Sequence, residues 1–486
     1  MTRIVDLKRN LSLLTDFYEL TMSNGYFLDG MPDRVAVFDM FFRTVPDNGG
    51  FAIFAGLEQL VEYLENLSFS EEDIEYLREQ GQFSDAFLEY LANFEFACDI
   101  WAPKEGTPIF PGEPVVVVKG PLIQTQLVET MVLLTINHQS LIATKTNRMI
   151  RAAGGRAIFE FGSRRAQGYD AAVLGARASY IGGCAATACV LAGRRYGIPV
   201  VGTMAHSWVQ SFDSEYEAFK SYAELYPDSC TLLVDTYNVI KSGVPNAIRV
   251  FNEVLLPKGF RPKGIRIDSG DIAYLSKRAR AMLDEAGFAD VKITASNSLD
   301  EYLIRDLILQ GAKVDLFGVG ENLITSKSAP VFGGVYKLAA VQEQEGGEFI
   351  PKIKVSESVE KITTPGFKRL YRLYDKENGK ALADYITLYD ETVDDSKPLA
   401  IFDQHAPWKK QTLENYVSRP LLEPIFSKGK LVYTLPSLDE VKAYCTEQVN
   451  TLWDEVTRFE NPHTYYVDLS QKLWDMKYNL LEEISL

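Results

Sequence analysis

Two hydrophobic rhythms divide this chain of 486 residues, and the change falls near Gly154. Before it, helical spacing alternates with short strands punctuated by proline. Thr15 suits an N-cap, and Asp16 and Glu19 follow in the first turn of a helix running to about Phe27. Val35 to Arg43 reads as a strand, and Gly56 to Leu67 and Glu71 to Phe94 read as helices. Val115 to Val118 is a short strand in a stretch broken by Pro103, Pro108, Pro111, Pro114 and Pro121. From Gln124 to Ala153 no proline or glycine interrupts a helical pattern. That predicts one long helix, carrying Glu129, His138, Lys145 and Arg148, which closes an N-terminal α+β domain over residues 1–153.

After Gly154 a unit repeats: an apolar run ending in small or polar residues, then an amphipathic segment. The runs are Ala157 to Phe161, Pro199 to Val201, Leu232 to Val234, Ile265 to Ile267, Ile293 to Ala295, Val314 to Gly318 and Val331 to Lys337. Between them, Ala171 to Arg195, Glu215 to Tyr226, Asn246 to Leu256, Ile272 to Ala286 and Asp300 to Gln310 read as helices. This is βα spacing, and it predicts an irregular parallel α/β barrel over residues 154–337, with a doubly wound open sheet as the alternative. Strand-like stretches over residues 338–397 are expected to return to the N-terminal domain, making it discontinuous. Residues 398–486 read as a mostly helical extension, with helices at Leu438 to Phe459 and Leu469 to Leu481.

Composition narrows the chemistry. A formal charge of −16 argues against nucleic acid as the main partner, because phosphate backbones call for concentrated Lys and Arg. No run approaches the roughly 18 apolar residues of a membrane span, and the first residues lack the apolar core of a secretion signal. A cytoplasmic protein without a membrane partner is expected. Five cysteines without CxxC spacing suggest neither disulfides nor zinc, and read as small buried hydrophobes.

A parallel barrel gathers the C-terminal ends of its strands at one mouth. Those ends read FEFGSRRAQG (Phe159 to Gly168), GTMAHSW (Gly202 to Trp208), VDTYN (Val234 to Asn238), RIDSGD (Arg266 to Asp271), TASNSLD (Thr294 to Asp300), GVGEN (Gly318 to Asn322) and TSKSAPVFGG (Thr325 to Gly334). Position alone leaves His206, one of four histidines, open between chemistry and a satisfied structural role. Asp235 would orient its ring or cap the next helix. Arg266 and Asp268 alternate onto one side of a strand, as an anion site or as a structural ion pair. Gly318, Gly320, Gly333 and Gly334 would cradle phosphate or simply permit turns. Phe161 taken alone reads as core.

Together with TDFYELTM (Thr15 to Met22) and the continuous GVGENLITSKSAPVFGGVYKL, these motifs resemble the bacterial nicotinate phosphoribosyltransferase family, a type II phosphoribosyltransferase family, from about Thr15 to Gly366. The resemblance implies that nicotinate and phosphoribosyl pyrophosphate become nicotinate mononucleotide and pyrophosphate, with ATP as co-substrate and Mg2+ as cofactor. It implies a homodimer in which Tyr18 of one subunit and Phe161 of the other sandwich the pyridine ring. Thr203 and Arg266 would hold the substrate, Arg266 at its carboxylate. His206 would accept the γ-phosphoryl group and Asp235 would orient it. Arg164, Thr325, Gly333 and Gly334 would hold the phosphoribosyl phosphates, while no metal ligands are carried over. Related nicotinamide enzymes place an aspartate in a GTDT-like stretch; aligned by eye, Cys184 of GGCAAT stands there, and an uncharged side chain suits a carboxylate better. Nicotinamide phosphoribosyltransferase and a non-catalytic ligand-binding protein remain alternatives. A quinolinate enzyme is disfavoured because no basic cluster for a second carboxylate is identifiable.

Overall fold

The computed structural model describes residues 10–358 and 361–485; the first nine residues of the expected N-terminal domain lie outside that range. The chain forms two compact units, one from residues up to Leu141 together with those from Val331 onward, the other from Ile142 to Pro330.

The first unit is built on a seven-stranded sheet in the order Ile350–Pro351, Val335–Gln342, Val35–Phe41, Val116–Pro121, Asp99–Ala102, Glu423–Ser427 and Lys430–Leu431. Its pairs are antiparallel, and Val35–Phe41 takes Val335–Gln342 on one side and Val116–Pro121 on the other. That position buries six of its seven residues, which explains why apolar residues occupy every place but Asp39 where a half-exposed strand would alternate. Asp39 in that strand is buried against Lys368, Nζ to Oδ2 2.7 Å.

A second sheet, Tyr416–Pro420, Lys368–Asp375, Ala381–Leu388 and Val467–Leu469, encloses a fully buried ion pair. Arg372 donates to both oxygens of Asp384 at 2.7 and 2.6 Å and to the Pro108 carbonyl at 2.8 Å. Tyr465 donates to Asp384 at 3.0 Å. Burial, and after it the charge of Asp384, pushes the Glu113 carboxyl well above the usual range. Asp384→Asn strips a desolvated guanidinium of its counter-charge, and a loss of about 3–5 kcal/mol is expected. Chemical denaturation, followed at constant slope against denaturant, checks it.

The second unit carries a six-stranded sheet in the order Ala186–Thr187, Ala157–Glu160, Leu316–Val319, Lys292–Ser296, Gly264–Ile267 and Thr231–Leu233. Every pair is parallel. Its first strand pairs with its last, and the remaining neighbours are consecutive in sequence. Val200 adds a single bridge to Thr187. Among the described residues no pairing joins the Val200 edge to the Thr231–Leu233 edge.

Several sequence expectations change in the folded chain. The helix start moves by one residue: Asp16 caps Phe17–Leu28 without a side-chain bond, because the Thr15 hydroxyl is turned to Glu19. Glu71 to Phe94 divides into Glu71–Glu79 and Asp85–Ala92, separated by Gly81 at φ 66° and restarted by a Ser84 cap. The long helix is preceded by a separate one, Leu122–Leu127, and itself runs Glu129–Ala152. Ala171 to Arg195 contains an unforeseen strand, Ala186–Thr187, between Tyr169–Gly182 and Val190–Tyr196. Pro199 to Val201 is reduced to its bridge, since proline has no N–H to give to a ladder. Val331 to Lys337 adds no strand to the parallel sheet; it leads into Val335–Gln342 of the antiparallel one. The C-terminal stretch is not mostly helical. Besides Leu438–Thr451, Asp454–Thr457 and Gln471–Ser485 it holds strands that complete both sheets of the first unit. Among the described residues no helix is long and apolar enough to cross a membrane.

Candidate active site

Parallel pairing in the second unit aligns the ends of its strands, so residues just past them share one edge. Arg266, third in Gly264–Ile267, is the most constrained. Its side chain is 17% exposed. Nε donates to Ser296 Oγ at 2.8 Å, Nη1 to Thr203 Oγ1 at 3.2 Å, and Nη2 to Asp268 Oδ1 at 2.8 Å. Ser296 in turn donates to the same Asp268 oxygen. Cζ stands 5.7 Å from the centre of the Phe161 ring. A guanidinium has five N–H donors, and three are taken here. Two remain on a rigid fork over an aromatic face, which is how a planar carboxylate is received.

His206 begins the short helix His206–Gln210. Its side chain is 39% exposed, open enough for a ligand to reach. Nδ1 lies 3.1 Å from Thr236 Oγ1, and Nε2 faces Asp268 at 3.7 Å and Asp235 at 3.9 Å. The hydrogen bond that sequence reasoning gave to Asp235 is thus made by the next residue, Thr236. Asp235 instead accepts from the Asp268 N–H at 3.0 Å and from Ser269 Oγ at 2.6 Å. This spends Oδ2, and Oδ1 is buried with no hydrogen bond among the described residues.

The glycines divide by role. A Cβ on Gly318 would lie 2.5 Å from the Phe161 ring, and one on Gly320 would meet the Phe161 carbonyl at 3.2 Å. These positions are bare so that the ring can lie against the backbone. Gly318→Ala should therefore displace Phe161 at an overpacking cost of about 1–3 kcal/mol, read as lost stability in chemical denaturation. Gly333 has φ 73°, a left-handed turn that a side chain resists. Gly334 donates its N–H to Asn137 Oδ1 at 3.1 Å, and a Cβ there would strike the same oxygen. Thr325 gives its hydroxyl to the Glu321 carbonyl at 2.8 Å. Arg164 is exposed in the turn Ser163–Arg165.

The structure therefore brings Phe161, Thr203, His206, Asp235, Arg266 and Asp268 into one connected cluster, with Gly318 and Gly320 behind the ring. Tyr18, Gly333 and Gly334 belong to the first unit, where Tyr18 is 45% exposed. Burial, and after it the charge of Glu129, raises its phenol above the usual range. Cys184 is buried. It precedes Ala186–Thr187 and lies at the start of that strand, while Ala188 stands exposed at the end. Sequence reasoning passed over Thr236, Ser269 and Ser296, although all three stand inside the strand-end stretches VDTYN, RIDSGD and TASNSLD.

Three family models match the chain: the nicotinate phosphoribosyltransferase N-terminal domain over residues 13–137, the nicotinate phosphoribosyltransferase family over 157–345 and its C-terminal domain over 367–477. A nicotinate phosphoribosyltransferase of Bacillus subtilis is 45% identical, the match covering 98% of this chain and 96% of that one. One from Mycobacterium tuberculosis is 40% identical over 95% and 92% of the two chains. The crystal structure of human nicotinic acid phosphoribosyltransferase superposes with a TM-score of 0.84 at 31% identity, covering 96% of this chain and all of the other. On identity, coverage and fold together, this chain belongs to the nicotinate phosphoribosyltransferase family.

Proposed function

We propose that the chain transfers the phosphoribosyl group of phosphoribosyl pyrophosphate to nicotinate, releasing pyrophosphate, and couples the transfer to ATP hydrolysis through His206. The observation that carries the reading is the caged Arg266 fork above Phe161. Nicotinate lays its ring on Phe161, and its carboxylate takes the two remaining N–H donors. Asp268 and Ser296 hold the fork still, so little side-chain freedom is lost on binding. The ring nitrogen then attacks the anomeric carbon of the ribose as the bond to pyrophosphate breaks.

Neutral imidazole is a nucleophile at physiological pH. With Nδ1–H donating to Thr236, Nε2 carries the lone pair: an N–P bond forms to the γ-phosphorus and the P–O bond to ADP breaks. Asp235 and Asp268, flanking Nε2, suit a Mg2+ that arrives with substrate phosphates, an ion needing only one or two protein carboxylates. Bound there, Mg2+ would offset negative charge on the phosphates. Arg164 supplies an exposed cation for the phosphoribosyl phosphate, with Thr325 of the same unit as the resemblance assigns it.

The parallel sheet is an irregular barrel whose seam lies between Val200 and Thr231. Pairing of its first strand with its last supports that closure. The barrel domain spans Ile142–Pro330, and the residues up to Leu141 and from Val331 onward make up the discontinuous domain. The protein acts in the cytoplasm as a homodimer, and Tyr18 reaches the site of a second copy. Exposed Leu14, Phe17, Tyr18 and Met22 along one short segment support burial of this helix in such a contact.

Nicotinate is preferred over nicotinamide because Arg266 keeps two N–H donors for a carboxylate and because Cys184, which the alignment by eye sets against the aspartate of the nicotinamide enzymes, is uncharged. Pyrophosphate release measured with each base should be at least about a hundredfold faster for nicotinate, as a site built to pair one polar group discriminates. Equal turnover of the two would overturn the assignment.

A further inference from the structure

The first unit contains a cavity of about 320 Å3 that none of the chemistry above uses. Phe41, Phe42, Ile386, Tyr478 and Leu481 give it an apolar wall, while Asp39, Lys368, Arg43, His405 and Lys477 contribute charge. Asp39 and Lys368 neutralise each other. Lys477 is different. It is 6% exposed, and its Nζ meets only neutral acceptors, Gln404 Oε1 at 3.1 Å and Thr364 Oγ1 at 3.3 Å. No carboxylate pairs with it among the described residues. Burial, then the charge of Lys368, pushes its pKa down to about 8, which leaves it cationic at neutral pH. Burial and Lys477 together lower that of His405. A desolvated ammonium without a counter-ion is costly, and an anion entering the cavity would relieve it.

We propose that this cavity binds a small organic anion, its carboxylate paired with Lys477 and its apolar body lying against Phe42 and Tyr478. The volume is at the low end for ligand pockets, roughly 300–1,000 Å3, so the ligand is a single ring or short chain bearing one carboxylate. This site is separate from Arg266 and stands whether or not the base-binding assignment does.

Para-fluorobenzoate, followed by fluorine NMR on the full chain, is a suitable probe. The Arg266→Ala background removes the other carboxylate site. In it the acid should bind, para-fluorobenzamide should not, and adding Lys477→Met should weaken the acid at least about tenfold. Lys477→Gln serves if the methionine variant does not fold, and acid against amide is read without either. Absence of acid binding, equal binding of acid and amide, or affinity unchanged by removing the lysine charge would each overturn the proposal.

Discussion

ATP labelled at its γ-phosphate should leave an acid-labile, alkali-stable label on the protein, and His206→Gln should carry none. A phosphoryl group on imidazole nitrogen is lost when the ring is protonated, so the stability of the label reports a nitrogen acceptor and the variant reports the residue. The physical case rests on access and orientation: the ring is 39% exposed and is tied through Nδ1 to Thr236. Glutamine keeps polarity and approximate length but offers no comparable nucleophile. ATP hydrolysis that depends on the other substrates should fall to background, while uncoupled phosphoribosyl transfer persists through the intact base site. Label that survives in the variant would place the acceptor elsewhere. Thr236→Val is the companion measurement. It removes only the ring's hydrogen bond, so labelling should slow without disappearing.

Arg266→Ala should weaken nicotinate by about 2–5 kcal/mol, or roughly 30- to several-thousand-fold in affinity. Part of that loss comes from what is left behind. Asp268 would keep Ser296 but lose its guanidinium partner at 2.8 Å, and its uncompensated charge would repel an incoming carboxylate. Arg266→Lys should recover little, because an ammonium cannot span Ser296, Thr203 and Asp268 and still offer a paired fork. The neutral base nicotinamide should lose far less than nicotinate, and calorimetric titration of both against wild type and variant separates charge recognition from simple packing. Equal losses for the two bases would mean that Arg266 supports the pocket and does not read the carboxylate.

Much of the fold is local enough to be legible in the sequence. The apolar runs near residues 157, 232, 265, 293 and 316 appear as parallel strands, and the intervening amphipathic segments as helices, because periodicity reports which face of an element is buried. Two-residue strands such as Ala186–Thr187 lie below what periodicity can detect. The destination of a strand is equally hidden: Val335–Gln342 is apolar enough for either sheet, and only its register against Val35–Phe41 determines which one it enters.

The site divides along the same line. From sequence alone come its residue types and their placement after strands: His206, Asp235, Arg266 and Asp268 are found by reading strand ends together, and the TDFYELTM and GVGEN motifs carry the family. Tertiary structure decides which of them touch. Thr236 and not Asp235 bonds the imidazole, and Ser296 closes the cage around Arg266. The physical reason is one of scale. Strand and helix tendencies arise among neighbours a few residues apart, whereas hydrogen bonds of about 3 Å depend on where strands from distant parts of the chain end relative to one another.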